Sequence, residues 1–530
     1  ADLPAGLLAP VARPLHDLLN RYLRTHAVAT SLQIAARFGL GRAVVDDTLE
    51  ELRQQQRVLK GDFLSPAVDA STQWVAESVF RRLRVRSLQA AREATRPVEA
   101  PAYVAFLLER QGLLSDVAAS AAQGAFAGIN GVVRVIEQLA GVALPVSLWE
   151  SQILPARVRD YQPAMLDELL SSGEVIWSGQ RAPGAQDGLV SLHLSEFASE
   201  TLPVPDEGNN VTLSPLQQAI VAQLQDGGGW FARELLPRVM AQHEHAVDPG
   251  EVFAAMWELV WRGYLTMDTW AALRQLSTTS HTPRPRPARP ARSRHSRASF
   301  AASRSAAAQP SLNSMAGRWS LIVRQPLTDT ERALALTENM LDRFGVITRG
   351  AAVAEQIPGG FPALQPLLRG MEDAGRLLRG RFVAGMGGAQ FAENPAIDRL
   401  RQLGSAQATH PPVALAVLDP ANPFGVQLAW PLSVGGVRPT RRSGALVVIG
   451  DGRVILWLPP GGKELLTFGD ISEEQRQAAI VALGQALRRE KAHSFILERV
   501  DDQPASQSSL LPALKAIGFS RVPKGYSWYG

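Results

Sequence analysis

Two adjacent carboxylates, Asp501 and Asp502, close the apolar run "SFILERVDD" at residues 494–502. A carboxylate held beside a substrate can activate water or stabilise an oxocarbenium ion, the two demands of breaking a glycosidic bond. Asp451, in the hairpin signal "GDG", is a third of the same kind, and residues of this type in such places are more often ordinary turn residues. The basic residues suggest a different chemistry. Arg37, Arg42, Arg349, Arg376, Arg379 and Arg381 fall on expected turns, recognition helices and wings, where phosphates are met. Such faces also mediate protein contacts, and these arginines suit either. A second set, Arg284, Arg286, Arg289, Arg292, Arg294 and Arg297, has no acid from residue 269 to 328 to balance it. That run can neutralise several phosphates without sequence preference, or serve as a solvated spacer.

Other chemistries find less support. "PPGGKELLTFG" (459–469) has a Gly-Lys pair but neither the earlier glycine nor the following Ser or Thr of a phosphate-binding loop, so it reads as a turn. "HEH" (243–245) lacks the spacing of a helical zinc pair, no G-x-S-x-G elbow occurs, and no metal site is expected. With no cysteine in 530 residues, disulfides, thiolate metal sites and cysteine nucleophiles are excluded. Hydrophobic residues make up 46% and the mean hydropathy is −0.03, which suits several globular cores. The start of the chain lacks a signal-peptide pattern and no long apolar span occurs, so a cytoplasmic location, with access to nucleoid DNA, is expected. The net charge of +4 is too small to identify a nucleic-acid partner by itself.

The elements that must position these residues repeat. "LEELRQQQRVLKGDF" (49–63), "MLDELLSSGEVIWSG" (165–179), "AMWELVWRGYLTMDTW" (255–270) and "MEDAGRLLRGRFV" (371–383) each run from a helix-like stretch into a short strand. Gly173, Gly263 and Gly375 stand where the helix must end in a left-handed residue, and the first copy has Gln56 there instead. Before the first copy, "TSLQIAARFGLGRAVVDDTLEEL" has a cap at Thr30, a turn at Gly39, and Ala35 and Val45 as the small and apolar positions of a helix-turn-helix. Three helices and a hairpin make a winged helix. The spacing predicts winged helices at 1–66, 128–200, 201–276 and 326–400, and a helical segment or further winged helix at 67–127. It also predicts an Arg/Pro/Ser-rich linker at 277–325 and a β-barrel-like α+β domain at 411–530. The fold class is therefore mainly α with α+β: tandem winged helices, then a barrel-like domain.

The stretches "RYLRTHAVATSLQIAARFGLG", "VIEQLAGVALPVSLWESQILPARVRDYQPAMLDEL", "RFGVITRGAAVAEQIPGGF" and "MEDAGRLLRGRFVAGMGGAQFA", with "VFRRLRVRSLQAAR" and "GGKELLTF", resemble the C-terminal region of the bacterial large helicase-related (Lhr) proteins. The resemblance covers most of the chain outside the Arg/Pro run. It implies a piece of a longer ATP-dependent helicase that moves 3′ to 5′ on single-stranded DNA. ATP and Mg would belong to a motor outside these residues, and this chain would carry no cofactor of its own. It further implies DNA as partner, self-association as a homotetramer, a helicase core on the same polypeptide, and a role in DNA repair. Uracil-DNA glycosylase activity is the alternative that the resemblance implies. Related glycosylases use Gln-x-Gln or Gln-x-Asp. Here "QQQ" (54–56) has that spacing only at a helix end, and Gln390 in "GAQFA" has no such partner, so Gln390 joins Asp501 and Asp502 as a candidate without a complete motif.

Overall fold

The computed structural model describes residues 12–63, 72–94, 97–114, 124–182, 187–203, 213–242, 247–280, 316–405, 410–469, 472–489 and 494–529. The chain divides into two compact units, Ala1–Arg96 and Pro97–Gly530.

In the first unit, α1 (Pro14–Thr25), β1 (Ala29–Thr30), α2 (Ser31–Phe38), α3 (Arg42–Gln54), β2 (Val58–Gly61), β3 (Gln73–Ala76) and α4 (Glu77–Ala94) follow in order. Thr30 accepts from Gln33 N, and the Gln33 side chain returns the bond to the Thr30 amide, so α2 starts with a capping box. Gly39 (φ 64°) ends it. Gln56 takes φ 56°, the same left-handed bend as Gly173 (80°), Gly263 (72°) and Gly375 (76°), so the departing residue keeps the shape at a steric cost. Leu19, Leu23, Ile34, Val45, Leu49, Leu52 and Val58 are fully buried around Trp74. Because the middle strand β3 lies at 73–76, this winged helix extends past residue 66, and α4 belongs to its unit.

The second unit opens with α5 (Ala100–Arg110), followed by three more winged helices. The first has α6 (Gly128–Gln138), β4 (Leu144–Pro145), a kinked second helix built of α7 (Val146–Leu148), a π-turn (Trp149–Ile153) and α8 (Leu154–Arg157), α9 (Pro163–Ser172), β5 (Val175–Arg181) and β6 (Leu189–Leu194). After the short α10 (Ala198–Thr201) come α11 (Pro215–Leu224), β7 (Trp230–Phe231), α12 (Ala232–Gln242), α13 (Pro249–Trp261), β8 (Leu265–Met267), α14 (Ala271–Ser280) and β9 (Arg318–Leu321). The last has α15 (Asp329–Phe344), β10 (Val346–Ile347), α16 (Arg349–Ala354), α17 (Gly360–Asp373), β11 (Leu378–Gly380), β12 (Gln390–Ala392) and the flanking α18 (Asn394–Ser405). All four small sheets share one order, the last strand pairing antiparallel between the other two: β1-β3-β2, β4-β6-β5, β7-β9-β8 and β10-β12-β11.

Two expected boundaries change. Residues 67–127 are not one module: β3 and α4 belong to the first unit, whereas α5 lies in the second. Tyr103, Phe106 and Leu107 of α5 enter the core of the last winged helix, and Val104 and Leu108 enter that of the terminal sheet. The linker expected at 277–325 is also not a connection between modules. α14 runs to Ser280, and β9 pairs Trp319 with both Trp230 and Met267, so β8 and β9, the strands on either side of residues 268–317, belong to one sheet. Arg284, Arg286, Arg289 and "HEH" lie outside the described residues.

The terminal domain pairs β13 (Val413–Ala416), β14 (Leu446–Gly450), β15 (Arg453–Leu458), β16 (Glu464–Thr467), β18 (Arg499–Val500) and β19 (Gln503–Pro504) into one sheet, with β16 and β18 parallel. A separate sheet pairs β17 (Phe495–Leu497), β21 (Gly525–Trp528) and β20 (Ser520–Val522), and α19 (Glu473–Arg489) and α20 (Leu511–Ile517) pack on this domain. Among the described residues neither sheet closes, so the expected barrel is an open sheet with a smaller partner. Polar clamps join the modules. Arg157, fully buried, donates to both Asp419 carboxylate oxygens at 2.7 and 2.9 Å and to Gln111 Oε1 at 2.9 Å. Arg343, 1% exposed, donates to the carbonyls of Gln138 and Ala140 and pairs with Glu355.

Candidate nucleic-acid interface and terminal cleft

The arginines expected to meet phosphate divide by what already holds them. In the first unit Arg37 is exposed in the last turn of α2, and Arg42, at the start of α3, has Asp46 3.4 Å away one turn on. In the last winged helix Thr348 accepts from Ala351 N at 3.0 Å and caps α16, which leaves Arg349 exposed at its first position. Arg376 is anchored by Glu338 at 2.8 Å and approached by Glu393 at 3.8 Å, so it serves its own module first. Arg379 leans on the Phe391 ring at 5.9 Å, and Arg381 is exposed in the wing just after β11. Among the described residues Arg37, Arg349 and Arg381 have no ion-pair partner; Arg42 and Arg376 do.

Gln390 explains part of the sequence repeat. Its Oε1 accepts from the amides of Phe382 (2.7 Å) and Val383 (2.9 Å), and its Nε2 donates to Val383 O at 2.8 Å. In the first unit Gln73 opens the matching strand, and its Oε1 accepts from Phe63 N at 2.8 Å. The registers match: Gly61 pairs with Gln73, and Gly380 with Gln390. In "KGDF" and "RGRF" the Phe ring also packs beneath the glycine, where a Cβ would stand 3.1 Å from the ring at Gly61 and 2.8 Å at Gly380. The glutamine thus ties the wing together, and this role was hidden because its partners stand seven to ten residues away, just past the preceding strand.

Asp501 and Asp502 separate in role. Asp501 sits in the β18–β19 turn with φ 50°, a left-handed conformation that side chains other than glycine seldom take. Its carboxylate accepts from Thr467 N (2.9 Å) and Thr467 Oγ1 (2.8 Å), and its own amide donates to Leu465 O. Asp502 is exposed with no hydrogen-bond partner among the described residues. Both line a cleft of about 330 Å³ with Val434, Gly435, Thr467, Arg476, Gln503, Ser508 and Ser509. The arrangement offers one oriented carboxylate, one solvated carboxylate and several hydroxyls, enough to steer a water or oppose a developing positive charge. A neighbouring cleft of about 550 Å³ is lined by Glu498, Ser506, Arg521, Lys524 and Tyr526. Asp451, the third carboxylate, accepts from His410 N and Gln475 Nε2 and so holds a hairpin in place. The Gly-Lys pair at 462–463 lies in a turn closed by Gly462 N to Pro459 O.

Histidine chemistry that no motif signalled occurs on the second unit. Ser178 Oγ lies 2.9 Å from His193 Nε2, and His193 Nδ1 lies 2.7 Å from Thr201 Oγ1. Ser178 and His193 are fully buried, so the chain of groups has no access to substrate and acts as an internal brace. Burial, helped by the nearby Arg324 charge, lowers the His193 pKa to about 3. Among the described residues no group of three His, Asp or Glu could hold a metal, and no helix is long and apolar enough to cross a membrane.

Comparison with known proteins places this geometry in context. A family model for a winged-helix domain of the large helicase-related protein matches residues 98–195, and a second such model matches 326–412. The Lhr helicase/uracil glycosylase of Escherichia coli (strain K12) is 50% identical over 537 aligned residues, which cover 99% of this chain and 34% of that protein. The Lhr helicase/probable uracil glycosylase of Mycolicibacterium smegmatis is 39% identical over 542, with the same coverage. The chain thus spans about a third of the length of the curated relatives it matches.

Proposed function

We propose, from the premise that this chain belongs to the large helicase-related (Lhr) family as part of its C-terminal region, that it engages DNA and self-associates within a longer ATP-dependent 3′–5′ repair helicase. The observation that carries the reading is the presentation of exposed Arg37, Arg349 and Arg381, free of ion pairs, on two winged helices of the same strand order. Each can neutralise a phosphate with no internal pair to break first. ATP and Mg are handled, on this reading, by other parts of the polypeptide, and this chain places single-stranded DNA relative to them. Homotetramer formation joins several such surfaces in one particle.

The test is fluorescence anisotropy of a labelled single strand across a salt series. Binding should weaken with salt, and changing both Arg349 and Arg381 to Ala should reduce the log–log salt slope by about 1–2. No binding, or an unchanged slope, rejects the assignment of these residues. Light scattering tests self-association, and a monomer across micromolar concentrations rejects the tetramer.

A second reading, that the chain itself releases uracil from DNA, is favoured by the terminal cleft and by the names of its relatives. Asp502 would face the flipped nucleotide, with Asp501 shaping the turn that presents it. Alkali-sensitive cleavage at a single uracil, lost in Asp502→Asn with DNA binding retained, is the expected result. Equal cleavage by both proteins removes Asp502 from the mechanism.

A further inference from the structure

The run from Pro431 to Gly444, between β13 and β14, holds a turn with an unusual surface. Ser433 N donates to Val437 O at 3.0 Å, Val437 N to Ser433 Oγ at 2.9 Å, and Gly436 N to Ser433 O at 2.9 Å. Ser433 is only 6% exposed, so the root of the turn is fixed. Its tip faces water with aliphatic side chains: Leu432 is 56% exposed, Val434 68% and Val437 43%. Apolar groups on a rigid, projecting turn gain nothing in the free molecule and mark a contact. The C-terminal flank is basic. Arg438 and Arg442 are exposed, and residues 420–450 contain no acid.

The turn is also built into the wall of the terminal cleft. Val434 N donates to Thr467 O at 2.9 Å, and Thr467 is the residue whose amide and hydroxyl hold the Asp501 carboxylate. Gly435 lies against Asp502, where a Cβ would stand 2.9 Å from Oδ2, so no larger residue fits without displacing that carboxylate. Val434 and Gly435 therefore line the same 330 Å³ space as Asp501 and Asp502.

We propose that the turn Leu432–Val437 is a wedge that enters the base stack of a DNA duplex and holds open the step beside the Asp501–Asp502 cleft. Aliphatic side chains inserted between bases unstack them, nearby arginines meet the phosphates, and a displaced base needs an adjoining recess. The structure has the aliphatic tip and the arginines within about a dozen residues of chain, and the tip shares a wall with the recess. This inference rests on the DNA-engaging reading above and adds to it an action on duplex stacking.

A duplex carrying 2-aminopurine, a base whose fluorescence rises on unstacking, tests it. Wild-type chain at saturation should raise that fluorescence. The Leu432→Ser, Val434→Ser double variant, altered only at exposed positions, should still bind in anisotropy but lose most of the rise. An equal rise from both proteins, or wild-type binding with no rise, overturns the wedge while leaving DNA engagement standing. Absence of wild-type binding to the duplex overturns the wedge, and the single-strand measurement above decides DNA engagement separately. A variant whose particle mass falls in light scattering while the rise persists identifies the tip as a contact between copies and overturns the proposal.

Discussion

His193 gives the most quantitative expectation. Its ring is fully buried between Ser178 and Thr201, and its pKa falls from the ordinary 6.5 to about 3 because the charged form is denied water. The unfolded chain therefore takes up a proton near pH 6.5 that the folded chain refuses until about pH 3, so the unfolded state binds more protons and stability declines as pH falls through that window. At pH 5 the unfolded imidazole is mostly charged and the folded one neutral, which lowers stability by about 2 kcal/mol relative to pH 8, rising to about 4–5 kcal/mol at pH 3. Hydrogen exchange read by mass spectrometry on peptides covering β5 and β6, corrected for the intrinsic effect of pH, measures this locally. Wild-type protection should fall by about thirtyfold between pH 8 and pH 5 beyond any fall seen in His193→Gln. The same pH dependence in both proteins would show that the imidazole is charged, or reached by water, in the native state, and the reasoning would be wrong.

Other perturbations follow from the clamps and bends. Asp419→Ala strands the Arg157 guanidinium in the interior and should destabilise the second unit by about 3–5 kcal/mol in urea titration, while the paired change Arg157→Met, Asp419→Leu should restore most of it. Gln390→Ala removes the partners of two amides and one carbonyl, and should lower the stability of the last winged helix by about 2–4 kcal/mol. Any base release, normalised to folded protein, should not change in that variant. Gln56→Gly relieves a left-handed residue and should stabilise the first unit by about 0.5–1 kcal/mol in thermal unfolding.

The winged helices were legible where their signals are local. Thr30, Gly39, Val45 and the repeated helix-end glycines act within a few residues of themselves, so spacing alone located them. Gln56 could be noticed as a departure, but that it adopts the glycine conformation could not be read from its identity. Pairings across long separations were hidden. β9 completes a sheet after some fifty residues of other chain, and nothing in "RWSLIV" names Trp230 or Met267 as its neighbours. α5 is apolar on both sides because two cores share it, so periodicity gave it no face. At the candidate interface, Arg376 and Arg381 look alike in sequence. Only Glu338, thirty-eight residues away, distinguishes the tethered arginine from the free one. The terminal cleft was visible only as a pair of aspartates, because its other wall comes from a turn between distant strands.

The double burial of α5 limits how the chain can be cut. A string of modules invites dissection at its joints, yet this helix is at once the inner lining of the last winged helix and of the terminal sheet. Removing either neighbour would expose Tyr103, Phe106 and Leu107 on one side, or Val104 and Leu108 on the other, to water. The two form one inseparable piece, inherited or lost together, and a shortened version that ends near residue 405 would carry a raw hydrophobic scar rather than a clean domain edge.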